Sequence, residues 1–344
     1  MGVMCHASCV MRLLISRVAC RMSHVAAGSV VILALWAITL LSIMAAGIAS
    51  QVFADVRVAS RMKWGLKVDN IAWRGFYDSL DLIKEDASVG FDTPQEAWAN
   101  DEVRFKDIPF GGATYQVFNE QKNVNGETSR RFGLIDEERK INLNKASKET
   151  FSKWLQSAGS LNSQAAEKMA LFIVDYRDEN GVQEGTENTP EDCSFLKPPS
   201  QCKNKPFETL EELWWVPDMT SKLFEKIQTD FTVYGSGAVN INSAGVNVLR
   251  GLGLSQSGAE KIVEKTSGGS WIFKDPSLIS GDTLGWGLSA EDQLALQNAV
   301  QKGSLAVRSD VYGAAVEVAF SERHKGLFHF IFNRNGGMKS WREN

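Results

Sequence analysis

The chain begins with an unbroken apolar stretch and then settles into helical spacing. No residue from Val25 to Ala54 is charged, and SVVILALWAITLLSIMAAGIASQVFA (29–54) is apolar almost throughout. About 20 such residues cross a bilayer core as a helix, so the pattern predicts one membrane span. Val52, Val56, Ala59, Met62 and Leu66, then Trp73, Tyr77, Leu80 and Ile83, recur at three- and four-residue intervals. That is the period of one helix face. It continues across the end of the apolar run and predicts one long helix, apolar first and amphipathic after. The helix should stop near the breakers Gly90 and Pro94.

Period-2 patterning follows in two places. ATYQVFNE (113–120) and RRFGLIDEE (130–138) flank a polar loop holding Asn125-Gly126, a hairpin turn signal. SLAVRSDVYGAAVEVAFSE (304–322) and GLFHFIFNRN (326–335) form the second pair, with Phe328, Phe330 and Phe332 alternating against His329 and Ile331. Strands half-buried in this way need a cover for their apolar face. The amphipathic half of the long helix supplies one, giving an α+β layer.

Between the pairs, residues 142–300 predict short helices with an internal repeat. INLNKASKETFSKWL (141–155) resembles INSAGVNVLRGLGL (241–254), with Asn144 and Ala146 aligned to Asn242 and Ala244. NSQAAEKMALFI (162–173) matches SQSGAEKIVEK (255–265), and VPDMTSKLFEKI (216–227) pairs with GLSAEDQLALQNAV (287–300). These have the look of helix-hairpin-helix units, in which a Gly-rich turn such as Gly251 and Gly253 can hold a phosphate. Charge argues against that use. The basic residues of 1–28 are Arg12, Arg17 and Arg21; without them 34 basic residues face 41 acidic, a net −7. So acidic a body disfavours nucleic acid as a partner.

Two cysteines lie beyond the span, Cys193 and Cys202, bracketing a Pro-containing loop. Free thiols and a zinc site are the alternatives, and no histidine lies near. An even pair beyond a membrane segment points to a disulfide in an oxidising compartment, placing the body outside the cytosol. No G-x-x-x-x-G-K-[ST], H-E-x-x-H, G-x-S-x-G or C-x-x-C occurs, so no enzyme is expected. One acidic cluster stands out: Asp175, Asp178, Asn180, Glu187, Asn188 and Asp192 fall within eighteen residues. An oxygen-rich loop of this kind suits calcium, and equally a solvated surface loop.

Several motifs in one order resemble the general secretion pathway protein K family, a minor pseudopilin of the type II secretion system. Gly28 followed by GSVVILALWAITLLSIMAAG resembles a prepilin-type leader junction. FGLIDEERKINLNKAS, VDYRDENG with GTEN, NKPFETLEELWWVPDM and VNINSAGVNVL follow in the family's order. The resemblance implies a pilin-like core, a long N-terminal helix on a small antiparallel sheet, with a large α-helical domain inserted. The expected division is a leader (1–28), the membrane half of the helix (29–54), a core (55–140 and 301–344) and an insert (141–300). Cleavage between Gly28 and Ser29 by a prepilin peptidase is implied, as is calcium held by Asp175, Asp178, Asn180, Glu187 and Asn188. So is a place at the pseudopilus tip, starting its assembly. The implied partners are other minor pseudopilins, the major pseudopilin, an inner-membrane assembly platform and exported proteins. Pilin-like subunits mostly carry Glu five residues after the cleaved bond; here Leu33 stands there, as a subunit with nothing above it requires. Two other readings compete. A membrane-tethered DNA receptor would bind DNA through the hairpins, and a secreted binding protein would begin near Asp55.

Overall fold

The computed structural model describes residues 6–86, 90–122, 128–186, 189, 203–279, 285–321 and 324–343. Two compact units divide the chain at Lys67 and Val68. Among its described residues the first unit is helix alone. Helix α1 runs His6–Glu85, and from Val30 to Leu66 its large apolar side chains stand exposed, Leu33 at 65% and Trp36 at 72%. A face with no protein partner over that length fits a single-pass membrane anchor. Thr39 and Ser42 return their hydroxyls to the carbonyls of Trp36 and Ile38, so neither leaves a hydrogen bond unmade.

The second unit begins as α1 becomes amphipathic. Val68, Ile71, Ala72, Phe76, Leu80 and Ile83 are buried, whereas Tyr77, expected on this face, is 52% exposed. The buried stripe lies on a seven-stranded sheet. Its strands are β1 (Ile108–Phe110), β2 (Ala113–Lys122), β3 (Thr128–Arg131), β4 (Ile135–Asp136), β9 (Val311–Ser321), β10 (His324–Asn333) and β11 (Met338–Glu343). The order is β1-β2-β9-β10-β11, with β3 beside β2 and β4 beside β9. A short helix α2 (Glu102–Phe105), capped by Asp101, precedes β1. Phe76 meets Phe330 and Phe332 edge-on at 5.7 and 5.2 Å, and Trp73 stacks on Trp341 at 4.4 Å. Gly75 allows this approach: a Cβ there would lie 2.8 Å from a Val316 methyl.

Several strand boundaries differ from the sequence expectation, each for a visible reason. Helix α1 stops at Glu85, short of Gly90. RRFGLIDEE is not one strand. It breaks at Gly133, whose φ of +153° and contact with the Ala99 backbone admit no side chain, and Glu137–Arg139 form a 3-10 turn. Asn119 holds the break by donating to the Gly133 and Leu134 carbonyls. The Asn125-Gly126 turn lies outside the described residues. Leu305 and Ala306 leave the expected 304–322 strand to pair elsewhere, and β1 and β11 were not anticipated.

The segment between β4 and β9 is helical and duplicated. Its first half runs β5 (Ile141–Asn142), α3 (Lys148–Ser157), α4 (Ser163–Arg177), α5 (Ser221–Asp230) and β6 (Phe231–Thr232). Its second half runs β7 (Val239–Asn240), α6 (Val246–Gly251), α7 (Gln256–Ser267), α8 (Ala290–Gln301) and β8 (Leu305–Ala306). Each half closes by pairing its first and last strands in parallel, β5 with β6 and β7 with β8. The aligned asparagines do the same work twice. Asn144 brackets Phe207 through both its backbone groups, donating at 2.9 Å and accepting at 2.7 Å. Asn242 brackets Phe273 in the same way, at 2.9 Å both ways. The halves share one core, with Trp154, Ile241, Leu249 and Ile262 fully enclosed.

Candidate functional site

The acidic loop leaves the C-terminus of α4. Arg177, in the last turn, sends its guanidinium to the carbonyls of Leu143 and Ala146, which fixes that helix end against the first asparagine turn. Burial lowers its pKa to about 10. Asp175 is buried at 3% exposure and accepts from the Glu184 backbone at 2.8 Å. Burial pushes its carboxyl up, and the nearby Asp178 and Glu184 charges add to the rise; Lys148 opposes it. Asp178 caps the helix. One of its oxygens takes the Asn180 amide at 3.0 Å, while the other, Oδ1, is enclosed with no hydrogen-bond partner.

A second orphan lies close by. Asn204 is held with φ of +47° by its N–H to the Tyr176 carbonyl, and its Oδ1 is likewise buried without a donor. Its amide nitrogen is 3.9 Å from where a Cβ on Gly181 would stand, so it packs onto the same turn. Buried acceptors left unmade cost about 1–3 kcal/mol each, and a hard cation relieves such oxygens. Asn180 spends its own oxygen on the Val182 N–H at 2.6 Å. The loop thus gathers Asp175, Asp178, Asn180 and Asn204; Glu187, Asn188, Cys193 and Cys202 lie outside the described residues. Sequence reasoning missed Asn204, because its contacts with Tyr176 and Gly181 run through the fold across more than twenty positions.

A different trio is the tightest acidic group among the described residues. Asp86, Asp92 and Glu96 bring oxygens within 4.8 Å of one another. Arg334 already donates to Asp86 and Asp92, so this is an ion-pair clamp at the foot of α1. Beside it, Asp136 is buried and accepts from Asn240 Nδ2 at 2.9 Å, Ser309 Oγ at 2.7 Å and Ser243 Oγ. Burial pushes it up to about 6, against those hydrogen bonds. Here the second helical half is fastened to the sheet.

The hairpin turn of the second half is filled from within. Gly251 packs on Ile141 and Trp154. The N-terminus of α7 is met by Asp292, which accepts from Ser255 N at 2.7 Å and Ser255 Oγ at 2.9 Å. A carboxylate therefore stands where a phosphate would bind.

Residues 124–236 match the family model for the type II secretion system (T2SS), protein K. The match covers about a third of the chain, and over that stretch the chain is similar to the protein K family. A chain in the crystal structure of the GspK-GspI-GspJ complex from enterotoxigenic Escherichia coli shares the fold. The TM-score is 0.62 at 14% identity, over 84% of this chain and 99% of that one. No curated protein matches. The matched segment spans the first helical half of this chain, including the acidic loop and the asparagine turn at Asn142 and Asn144. Its long helix, antiparallel sheet and added helices make an α+β pilin-like fold.

Proposed function

We propose that this chain caps the pseudopilus of a type II secretion system and helps to start its assembly, serving protein export across the outer membrane. The protein K match over residues 124–236, which takes in the first half of the helical insert, carries the reading. Leu33 supports the terminal position. A stacked subunit needs a carboxylate near the bilayer to neutralise the amine of the subunit above, at high cost if unpaired. This helix offers an uncharged apolar surface there. The chemistry is assembly: the apolar helix packs with neighbouring helices, first in the inner membrane and then in the fibre. Residues 68–344 stand in the periplasm, where Cys193 and Cys202 bridge. We place the division at a leader (1–28), a membrane helix (29–54), a core (55–140 and 301–344) and an insert (141–300).

The solved relative comes from a complex of GspK with GspI and GspJ, so other minor pseudopilins are the first partners proposed. The major pseudopilin, a prepilin peptidase acting between Gly28 and Ser29, the assembly platform and exported proteins complete the set. Calcium fits the acidic loop, on the two buried orphan oxygens of Asp178 and Asn204. Asp175, Asp178, Asn180, Glu187 and Asn188 would hold it together with Asn204, and its charge would offset the crowding of carboxylates at the end of α4.

The test is the mass and N-terminal sequence of the protein from membranes with and without prepilin peptidase, followed by labelling of sheared fibres. A peptidase-dependent start at Ser29 and label confined to fibre ends support the proposal. A start near Asp55, or label along the fibre length, overturns it.

A further inference from the structure

The stretch of α1 just past the membrane span carries charge of the wrong sign for this chain. Between Asp55 and Lys67 stand Arg57, Arg61, Lys63 and Lys67 against one acid, a net +3. Residues 68–344 hold 30 basic residues against 40 acidic, a net −10. Nor do these cations help to orient the span. Cations do that from the cytosolic side, and here three precede the apolar run while four follow it. With the body outside the cytosol, as proposed above, the four serve another purpose.

Their arrangement on the helix is one-sided. Phe53, Arg57, Arg61 and Trp64 follow at steps of four, four and three residues and share a face. Lys63 and Lys67, four apart, flank that face on one side. The opposite side is apolar, with Val58, Met62 and Leu66 exposed at 51%, 65% and 66%. Two of the cations reach back toward the span, as side chains on a helix lean toward its N-terminus. Arg57 Nε donates to the Phe53 carbonyl at 3.3 Å, and Lys67 Nζ lies 4.7 Å from the centre of the Trp64 ring.

Depth agrees with this. The uncharged run Val30–Ala54, at about 1.5 Å per residue, overruns the ~30 Å hydrocarbon core by about 7 Å. Phe53 and Arg57 therefore stand at headgroup depth, with Arg61 and Trp64 in the turns just beyond. Trp is at home in that layer, and an Arg fork matches the oxygens of a phosphate.

We propose that this face of α1 binds the headgroup of an anionic phospholipid in the leaflet from which the body projects. The guanidiniums of Arg57 and Arg61 take the phosphate, and Lys63 and Lys67 add attraction for the lipid's net negative charge. Phe53 and Trp64 lie against the glycerol and the upper acyl chain. Continuity with the span selects a lipid as occupant, since its phosphate is present at that depth whenever the helix is inserted. The site rests on the membrane-anchor reading of α1.

The full chain is reconstituted in phosphatidylcholine liposomes that carry spin-labelled phosphatidylglycerol or spin-labelled phosphatidylcholine. Flotation after an alkaline wash checks the anchor, and electron paramagnetic resonance reads the immobilised share of each label. Phosphatidylglycerol should be preferred by about threefold or more. The preference should vanish when Arg57, Arg61, Lys63 and Lys67 are all changed to Gln, a variant that keeps the helix and still floats. It should survive Arg12→Gln with Arg17→Gln and Arg21→Gln, and an excess of glycerol phosphate. A chain that does not float overturns the anchor and this site together. A chain that floats but immobilises both labels equally overturns the site alone and assigns the cations to an acidic partner helix. Preference that persists in the fourfold variant, or is lost with the leader arginines, also overturns it. Competition by glycerol phosphate would make the site one for soluble anions instead.

Discussion

Asp136 and Asn240 meet at 2.9 Å across 104 positions of sequence, joining a core strand to the second half of the helical insert. The carboxylate is buried, and its hydrogen-bond donors Asn240, Ser243 and Ser309 are all neutral. Burial outweighs those donors and raises its pKa from 3.8 to about 6. The carboxyl is therefore neutral in the folded state when it would already be charged in the unfolded one. Stability from this group is full below the ordinary value and is lost as pH rises to about 6, by about 3 kcal/mol. Asp136→Asn removes that dependence. Its stability relative to wild type should improve by about 2 kcal/mol between pH 4 and pH 7, read from urea unfolding followed by tryptophan fluorescence. A difference that stays constant with pH would mean the group is ionised throughout.

Arg334 is the counter-charge for Asp92, which is fully enclosed. Arg334→Met should cost about 3–5 kcal/mol, because it strands a buried carboxylate. Asp92→Asn in the same chain should recover part of the loss, and a lack of recovery would assign the cost to packing instead.

Gly133 turns the chain from β3 into β4 with its α-carbon against the Ala99 backbone. Gly133→Ala should destabilise by about 2–4 kcal/mol, since neither the backbone angle nor the neighbouring carbonyl can yield cheaply. The loss would appear as a lower urea midpoint with an unchanged slope.

Calcium at about 100 times its dissociation constant should raise stability by about 2.7 kcal/mol, and a chelator should remove the gain. Asp178→Asn and Asn204→Ala should each reduce the increment without altering the fold. A gain of equal size in both variants would move the ion away from this loop.

The sequence showed the helix, both strand pairs and the duplication because each leaves a local signature. Asn144 and Asn242 sat in matching motifs, and α4 and α7 in matching amphipathic runs. What it hid was set by distant partners. Phe207 and Phe273 gain their role only when an asparagine more than thirty residues away brackets them. Asp136 sits in the undistinguished string LIDEE, and Asn204 beyond the cysteine loop. Strands β1 and β11 escaped notice because IPF and MKSWRE carry a proline or dense charge, which suits sheet edges and spoils alternation.

The pairing of Ile135 and Asp136 with Gly313 and Tyr312 has a consequence in time. The central strand β9 is made long after its neighbour β2, at 5–20 residues per second roughly ten to forty seconds later. Until then β2 has an unmet edge, the kind of edge that recruits other chains. The insert folds from contacts within itself, and in doing so it brings its two ends one hydrogen-bonded rung apart. A closure spanning most of the domain is thereby shortened to that of a tight loop. Mutations that loosen the insert should therefore appear first as slow folding and aggregation of the core, before any loss in the finished protein.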